Sequence, residues 1–175
     1  MEECVIIVDN SNIWIEGMKH SAKLKGMMPQ PDGKPSCDYQ WRIDFGKLLE
    51  FAAQGKKIRK AILVGSRPPK NDSLWNAATK KGFEVTVTNR NSQNKEKAVD
   101  TKLAVEGTKL IYTTTPAILK VLSGDSDFIP LIECANDANW ETEVWAFSSS
   151  LGTGSLMNVA TRIEVLDDKI SKIQL

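Results

Sequence analysis

Residues 121–128 read VLSGDSDF: the end of an apolar run, a Ser-Gly break, two aspartates flanking one serine, and the first apolar residue of a new segment. A β-branched apolar run that stops at a glycine has the pattern of a buried strand entering a turn. Phe128, Leu131, Ile132 and Ala135 then recur at helical spacing. A strand, an acidic turn and a helix in that order make the repeating unit of an α/β fold.

The same unit recurs along the chain. Short apolar runs at 5–8, 61–64, 83–87, 118–122 and 143–147 read as strands, and most are continuous enough to be buried on both faces. Helical spacing appears in Phe45, Leu48, Leu49 and Ala52, in Leu74, Ala77 and Ala78, and in Val99, Leu103 and Leu110. A polar loop, a short helix near 156–160 and a last strand at 163–166 close the chain. Strands alternating with helices predict an α/β protein, a three-layer α/β/α sandwich around a mainly parallel, Rossmann-like sheet. Its 175 residues suit one domain, 1–175. Within it, residues 26–39, GMMPQPDGKPSCDY, form a Pro/Gly-rich loop that reads equally as a lid or as an inert insertion.

Composition removes several kinds of function. The 23 Lys+Arg against 22 Asp+Glu leave a formal charge of +1, so a nucleic-acid surface has to be a local patch. Cys4, Cys37 and Cys134 are widely spaced and odd in number, which fits free thiols in a reducing compartment. The opening MEECVIIVDNSN lacks the basic residues of a signal peptide, and no run approaches the roughly 20 apolar residues of a membrane span. A cytoplasmic or nuclear protein is expected, neither secreted nor membrane-bound. His20 is the one histidine, so paired-histidine acid–base chemistry is excluded and any catalysis must run on carboxylates. No G-x-x-x-x-G-K-[ST] or G-x-G-x-x-G motif is present, and Ser11 stands where a haloacid-dehalogenase-like phosphatase would need a second aspartate.

The carboxylates have a common address. The first strand ends in Asp9, within IIVDNSN, and the fourth ends just before Asp125, with Asp127 in the same turn. Asp100, within KAVDTKLAV, opens the helix after the third strand. In a parallel sheet ligands bind beyond the carboxyl ends of strands where the strand order reverses, and all four acids fall at that end. Each has an ordinary explanation: Asp127 as a helix cap, Asp9 with Asn12 as a strand-stopping turn, Asp100 as a solvated first-turn acid. Their joint placement favours a site. Two unit charges ~4 Å apart repel by about 1 kcal/mol in water and nearer 4 at an effective dielectric of 20, so an empty cluster is destabilising. An all-oxygen donor set suits Mg²⁺ or Mn²⁺, which polarises phosphoryl groups and lowers the pKa of water.

At these residues the sequence resembles the NYN family, the LabA-like branch of the PIN-like nucleases. The resemblance rests on VDNSN with Asp9 and Asn12, on KAVD ending at Asp100, on SGDSDF with the Pro130-Leu131 pair that follows, and on the closing SSSL with its short helix. It implies a PIN-like α/β/α sandwich and metal-dependent cleavage of RNA. It makes Asp9, Asp100 and Asp125 metal ligands, Asp127 a ligand or supporting acid, and Asn12 a group that orients Asp9 or the substrate. Glu106, six residues beyond Asp100, lies about 120° round the helix and is left out.

Arg90, Lys95 and Lys97, in NRNSQNKEK, approach the same rim from the third strand, and Arg67 and Lys70 approach it from the second. These are the expected RNA phosphate contacts. Trp14, Tyr39 and Trp41 are candidate platforms for unpaired bases, whereas Trp75, Trp140 and Trp145 read as core. The expected function is a Mg²⁺- or Mn²⁺-dependent ribonuclease that hydrolyses single-stranded RNA with a metal-activated water. The alternatives are a non-catalytic RNA-binding or scaffolding module on the same fold, and a phosphatase or nucleotidase for small substrates if the 26–39 loop closes over a small pocket.

Overall fold

The computed structural model describes residues 2–67, 73–89, 96–152 and 154–175, with the backbone alone for 66, 67, 88, 89 and 96–102. Six strands, β1 (Glu3–Asp9), β2 (Lys57–Arg67), β3 (Glu84–Asn89), β4 (Ile118–Leu122), β5 (Glu141–Ala146) and β6 (Arg162–Val165), form one sheet in the order β3-β2-β1-β4-β5-β6. All the pairings are parallel, so the sheet is wholly rather than mainly parallel. Between them run α1 (Asn10–Leu24), α2 (Phe45–Ala53), α3 (Ser73–Lys80), α4 (Glu96–Thr113), α5 (Ile129–Asp137) and α6 (Ser155–Val159).

The central strand shows why the sheet has two covered faces. In β1 the side chains of Cys4, Ile6 and Val8 enter one core with Ile13 and Met18 of α1, Phe45 and Leu48 of α2 and Trp75 of α3. Those of Val5 and Ile7 enter the other, with Leu103 and Ile111 of α4, Leu131 and Ile132 of α5 and Leu156 of α6. Residues 4 to 8 are fully buried, which is why this strand reads as a continuous apolar run. Burial of each such side chain contributes roughly 1.5–3 kcal/mol. Three layers follow: α1, α2 and α3 on one side, the sheet, and α4, α5 and α6 on the other.

The strand order reverses between β1 and β4, which lie side by side at the centre of the sheet. Val8 lies opposite Leu122, so Asp9 comes level with Ser123 at the carboxyl end of the switch point. The basic stretch 56–60 lies at the other end, where Lys57 and Arg59 pair with Glu3 at 2.7 and 2.6 Å and Lys56 with Glu2 at 2.6 Å. Among the described residues no helix is long and apolar enough to cross a membrane.

Helix α1 is not apparent from apolar spacing. Its buried face is built from Asn10, Ile13, Glu16, Gly17, Met18, Ser21 and Ala22, more small and polar than apolar. It forms because Asp9, in extended conformation, caps its amino end, and because other elements dock on its small residues. A Cβ on Gly17 would overlap the indole of Trp41. Trp41 therefore lies against the helix at 4 % exposure, which removes it as a base-stacking platform.

Candidate active site

Six residues knit the switch point together. The backbone amide of Asn12 donates to Asp9 Oδ1 at 3.1 Å, and Ser123 Oγ donates to Asp9 Oδ2 at 3.0 Å. The amide of Asp125 donates to the same Ser123 Oγ at 3.1 Å, and the amide of Asp127 to Asp125 Oδ1 at 3.0 Å. From the other side, Asn12 Oδ1 accepts the amide of Gly124 at 3.0 Å. The two aspartates at the ends of neighbouring strands are thus linked through one buried serine, and the helix after β1 is tied to the turn after β4.

Glycine is required at 124. A Cβ there would come within 2.6 Å of Ser150 Cβ and 2.7 Å of its carbonyl carbon, so the acidic turn packs directly on the turn after β5. Asp125 caps the 3-10 turn Ser126–Phe128, the role the sequence suggested for Asp127. Its carboxylate and that of Asp127 are exposed, while Ser123 and Gly124 are buried.

Burial pushes the Asp9 carboxyl above its usual range, and the charge of Asp125 pushes it the same way, against the Asn12 amide and the Ser123 hydroxyl. Among the described residues Asp9, Asp125 and Asp127 have no ion-pair partner. Negative charge is therefore concentrated at the sheet's ligand-binding end without a described cation to balance it.

Asp100 lies on the second turn of α4, backbone described and side chain outside the described set. Arg67 ends β2 and Lys97 lies in the first turn of α4, again as backbone alone. Lys70, Arg90 and Lys95 lie outside the described residues. Trp14 is half-buried, with an indole Nε1 that is buried and has no hydrogen-bond partner among the described residues, and Tyr39 is 70 % exposed. Trp75, Trp140 and Trp145 are core residues, as expected.

The profile of the NYN domain matches residues 13–167. The chain belongs to the NYN family. A crystal structure of a protein of unknown function from Vibrio parahaemolyticus RIMD 2210633 superposes on this NYN chain with a TM-score of 0.70 and 18 % identity, covering 99 % of this chain and 96 % of that one. At that identity the likeness establishes the fold. No curated protein matches the chain. Asp100, Asp125 and Asp127 fall inside the NYN match, while Asp9 and Asn12 stand just before it.

The donor chemistry of this NYN domain suits a hard divalent cation: carboxylate and hydroxyl oxygens, no described counter-charge, and one carboxyl already raised by burial. Among the described residues no three His, Cys, Asp or Glu side chains gather into a ready metal cluster. Asp100 is the acid whose side chain is not among them. Ser123, which spacing did not single out, is the residue that links Asp9 to the Asp125 turn. Its signal in the sequence is its position, a lone hydroxyl between a strand that is apolar apart from Lys120 and the first acid of the turn.

Proposed function

We propose that this NYN chain is a Mg²⁺- or Mn²⁺-dependent ribonuclease that hydrolyses phosphodiester bonds of single-stranded RNA. The observation that carries the reading is the Asp9–Ser123–Asp125 linkage at the switch point between β1 and β4, where one buried hydroxyl donates to the Asp9 carboxylate and accepts the backbone amide of Asp125, and neither acid has a described counter-charge. Asp9, Asp100, Asp125 and Asp127 are the residues that would hold the cation. Bound there, it would supply Lewis-acid polarisation of a phosphoryl oxygen and a lowered pKa for water. Asp9 is fixed in direction by the Asn12 amide and Ser123, and Asn12 acts as a positioning residue by holding Gly124 and hence the Asp125 turn. Arg67, Lys70, Arg90, Lys95 and Lys97 are the proposed phosphate contacts, a local patch on a chain whose formal charge is +1.

A small-substrate phosphatase would need the 26–39 loop to close over the acids. The cavity that this loop does wall has none of Asp9, Asp125 or Asp127 in its lining. The remaining rival, a non-catalytic RNA-binding module, would retain the fold and bind without cutting. The purified chain incubated with a 3′-labelled single-stranded RNA and Mg²⁺ or Mn²⁺ tests the proposal. Cleavage to 5′-phosphate products, stopped by a chelator and restored by either ion, is expected; binding without any cleavage under both ions rejects it.

A further inference from the structure

A cavity of about 450 Å³ lies between α1 and the 26–39 loop, walled by Lys23 near the end of the helix, by Met27, Pro29 and Pro35 of the loop, and by Ser148 and Ser149 of the turn after β5. Both ends of the loop are fastened to α1. The Met27 amide donates to Ala22 O at 2.9 Å and the Asp38 amide to Met18 O at 3.0 Å. The buried Asp38 carboxylate accepts Ser21 Oγ at 2.6 Å and pairs with Lys25 at 2.7 Å. The loop is thus folded back on the helix as a wall, and the cavity beneath it is preformed.

Its lining combines two chemistries. Met27, Pro29 and Pro35 offer apolar surface, and a thioether adapts well to a flat ring. Lys19 and Lys23 lie one turn apart on α1 and share its exposed face. Lys19 is engaged by Glu16 at 2.7 Å, whereas Lys23 is exposed and has no ion-pair partner among the described residues. The carboxylate in the lining, Asp167, is occupied by the Ser148 amide at 2.8 Å and the Ser148 hydroxyl at 2.6 Å. An apolar slot with one available cation at its mouth fits a planar ring that carries an anion, the chemistry of a nucleotide.

The cavity and the acidic site are bordered by the same turn. Ser148 and Ser149 line it, and Ser150 of the same turn packs on Gly124, next to Asp125. Ser149 Oγ also donates to Glu16 Oε2 at 2.6 Å, which fixes that turn to α1. Along the helix axis Lys23 lies roughly 21 Å from Asp9, a length that a few nucleotides of extended strand can span.

We infer that this cavity is a base-binding subsite: it receives one nucleotide of a single-stranded RNA a few positions from the scissile bond, its base against Met27, Pro29 and Pro35 and its phosphate on Lys23. The inference rests on the ribonuclease reading above. The test uses the full chain, labelled at the methionine methyl groups for NMR, with a chelator and a hexaadenylate probe, and with Met27→Leu to assign the Met27 signal. Stacking of a base shifts the Met27 methyl upfield. Lys23→Glu weakens hexaadenylate binding about tenfold, the order expected for one lost phosphate contact, while Lys57→Glu at the opposite end of the sheet leaves it unchanged. The same methyl spectrum reports that each variant is folded. If hexaadenylate binds and wild type cleaves it, yet the Met27 methyl does not move and Lys23→Glu binds normally, the subsite is overturned and the ribonuclease stands. If the Met27 shift and the Lys23 effect appear without cleavage under Mg²⁺ or Mn²⁺, the subsite is sustained and the nuclease reading fails. Absence of any hexaadenylate binding overturns both.

Discussion

The side chain of Asn12 accepts the backbone amide of Gly124 across 3.0 Å, while the backbone of Asn12 donates to Asp9 across 3.1 Å. One residue thereby fixes the spacing between the acid that ends β1 and the acidic turn that follows β4. Asn12→Ala leaves the buried Gly124 amide without its acceptor, a loss of about 1–3 kcal/mol. Urea unfolding should show that loss, and RNA cleavage should fall with it. Asn12→Asp, which keeps an acceptor oxygen at the same place, should recover most of the stability. Equal stability of wild type and Asn12→Ala would mean that the two strand ends are held by other contacts.

Lys120 is a charge in the middle of an otherwise apolar strand. It is fully buried, directly opposite Glu143 in the sheet register, with Nζ 3.1 Å from Glu143 Oε2, 2.9 Å from Gln54 Oε1 and 5.0 Å from the centre of the Trp145 ring. Glu143 Oε2 also accepts Trp145 Nε1 at 2.9 Å. Lys120→Met leaves the buried Glu143 carboxylate with the half-exposed Arg162 guanidinium, 3.7 Å from Oε1, as its cation and should cost about 3 kcal/mol. Lys120→Met with Glu143→Gln removes both charges, keeps an acceptor for Trp145, and should return most of the loss. A double variant no more stable than the single one would contradict this pairing.

Asp38 ties the 26–39 loop to α1 and gives the protein a pH dependence of known sign. The Lys25 ammonium beside it, helped by the Ser21 hydroxyl, holds its carboxyl down at about 2. In the unfolded chain an aspartate titrates near ~3.9, so the folded state favours the charged form. The stabilisation is complete above ~3.9 and is lost as the pH falls through about 2. Denaturant unfolding of Asp38→Asn should show lower stability than wild type at pH 6, and the gap should narrow steadily as the pH is brought from 4 towards 2. A gap that stays constant over that range would remove the ion pair as its cause.

How much of this was legible in the sequence depended on whether burial was apolar. β1 and β4 could be read because both their faces are covered, which leaves an unbroken apolar run ending at Asp9 and a run interrupted by Lys120 alone ending at Ser123. From those ends the switch point followed, and with it the address of the acids. Helix α1 escaped because its buried face is paid for by Gly17 under Trp41 and by Ser21 under Asp38, contacts that no hydrophobic period records. The start of β2 escaped for a related reason: Lys57, Arg59 and Lys60 look like a solvated charge run but pair with Glu3 of β1 and Glu84 of β3, the strands on either side. Trp41 looked like a free aromatic because a glycine's role as its seat is visible only in three dimensions.

Asp125→Asn separates a metal-binding carboxylate from a structural one. Asparagine can keep the cap on the Asp127 amide, and the change removes one charge that pushes against Asp9. The metal-free variant should therefore melt at the same temperature as wild type or higher. Wild type should gain thermal stability on adding Mg²⁺ or Mn²⁺, and the variant should not. A clear fall in the melting temperature of the metal-free variant would assign Asp125 to the scaffold.

Cleavage and binding measured side by side, on one single-stranded RNA, for wild type and Asp125→Asn, test the central claim most directly. Removing a negative charge that faces the phosphates should leave binding in a chelator unchanged or tighter. The same substitution should abolish cleavage under Mg²⁺ or Mn²⁺ that wild type performs. Cleavage surviving in Asp125→Asn at the wild-type rate would contradict the assignment of that carboxylate to the chemistry.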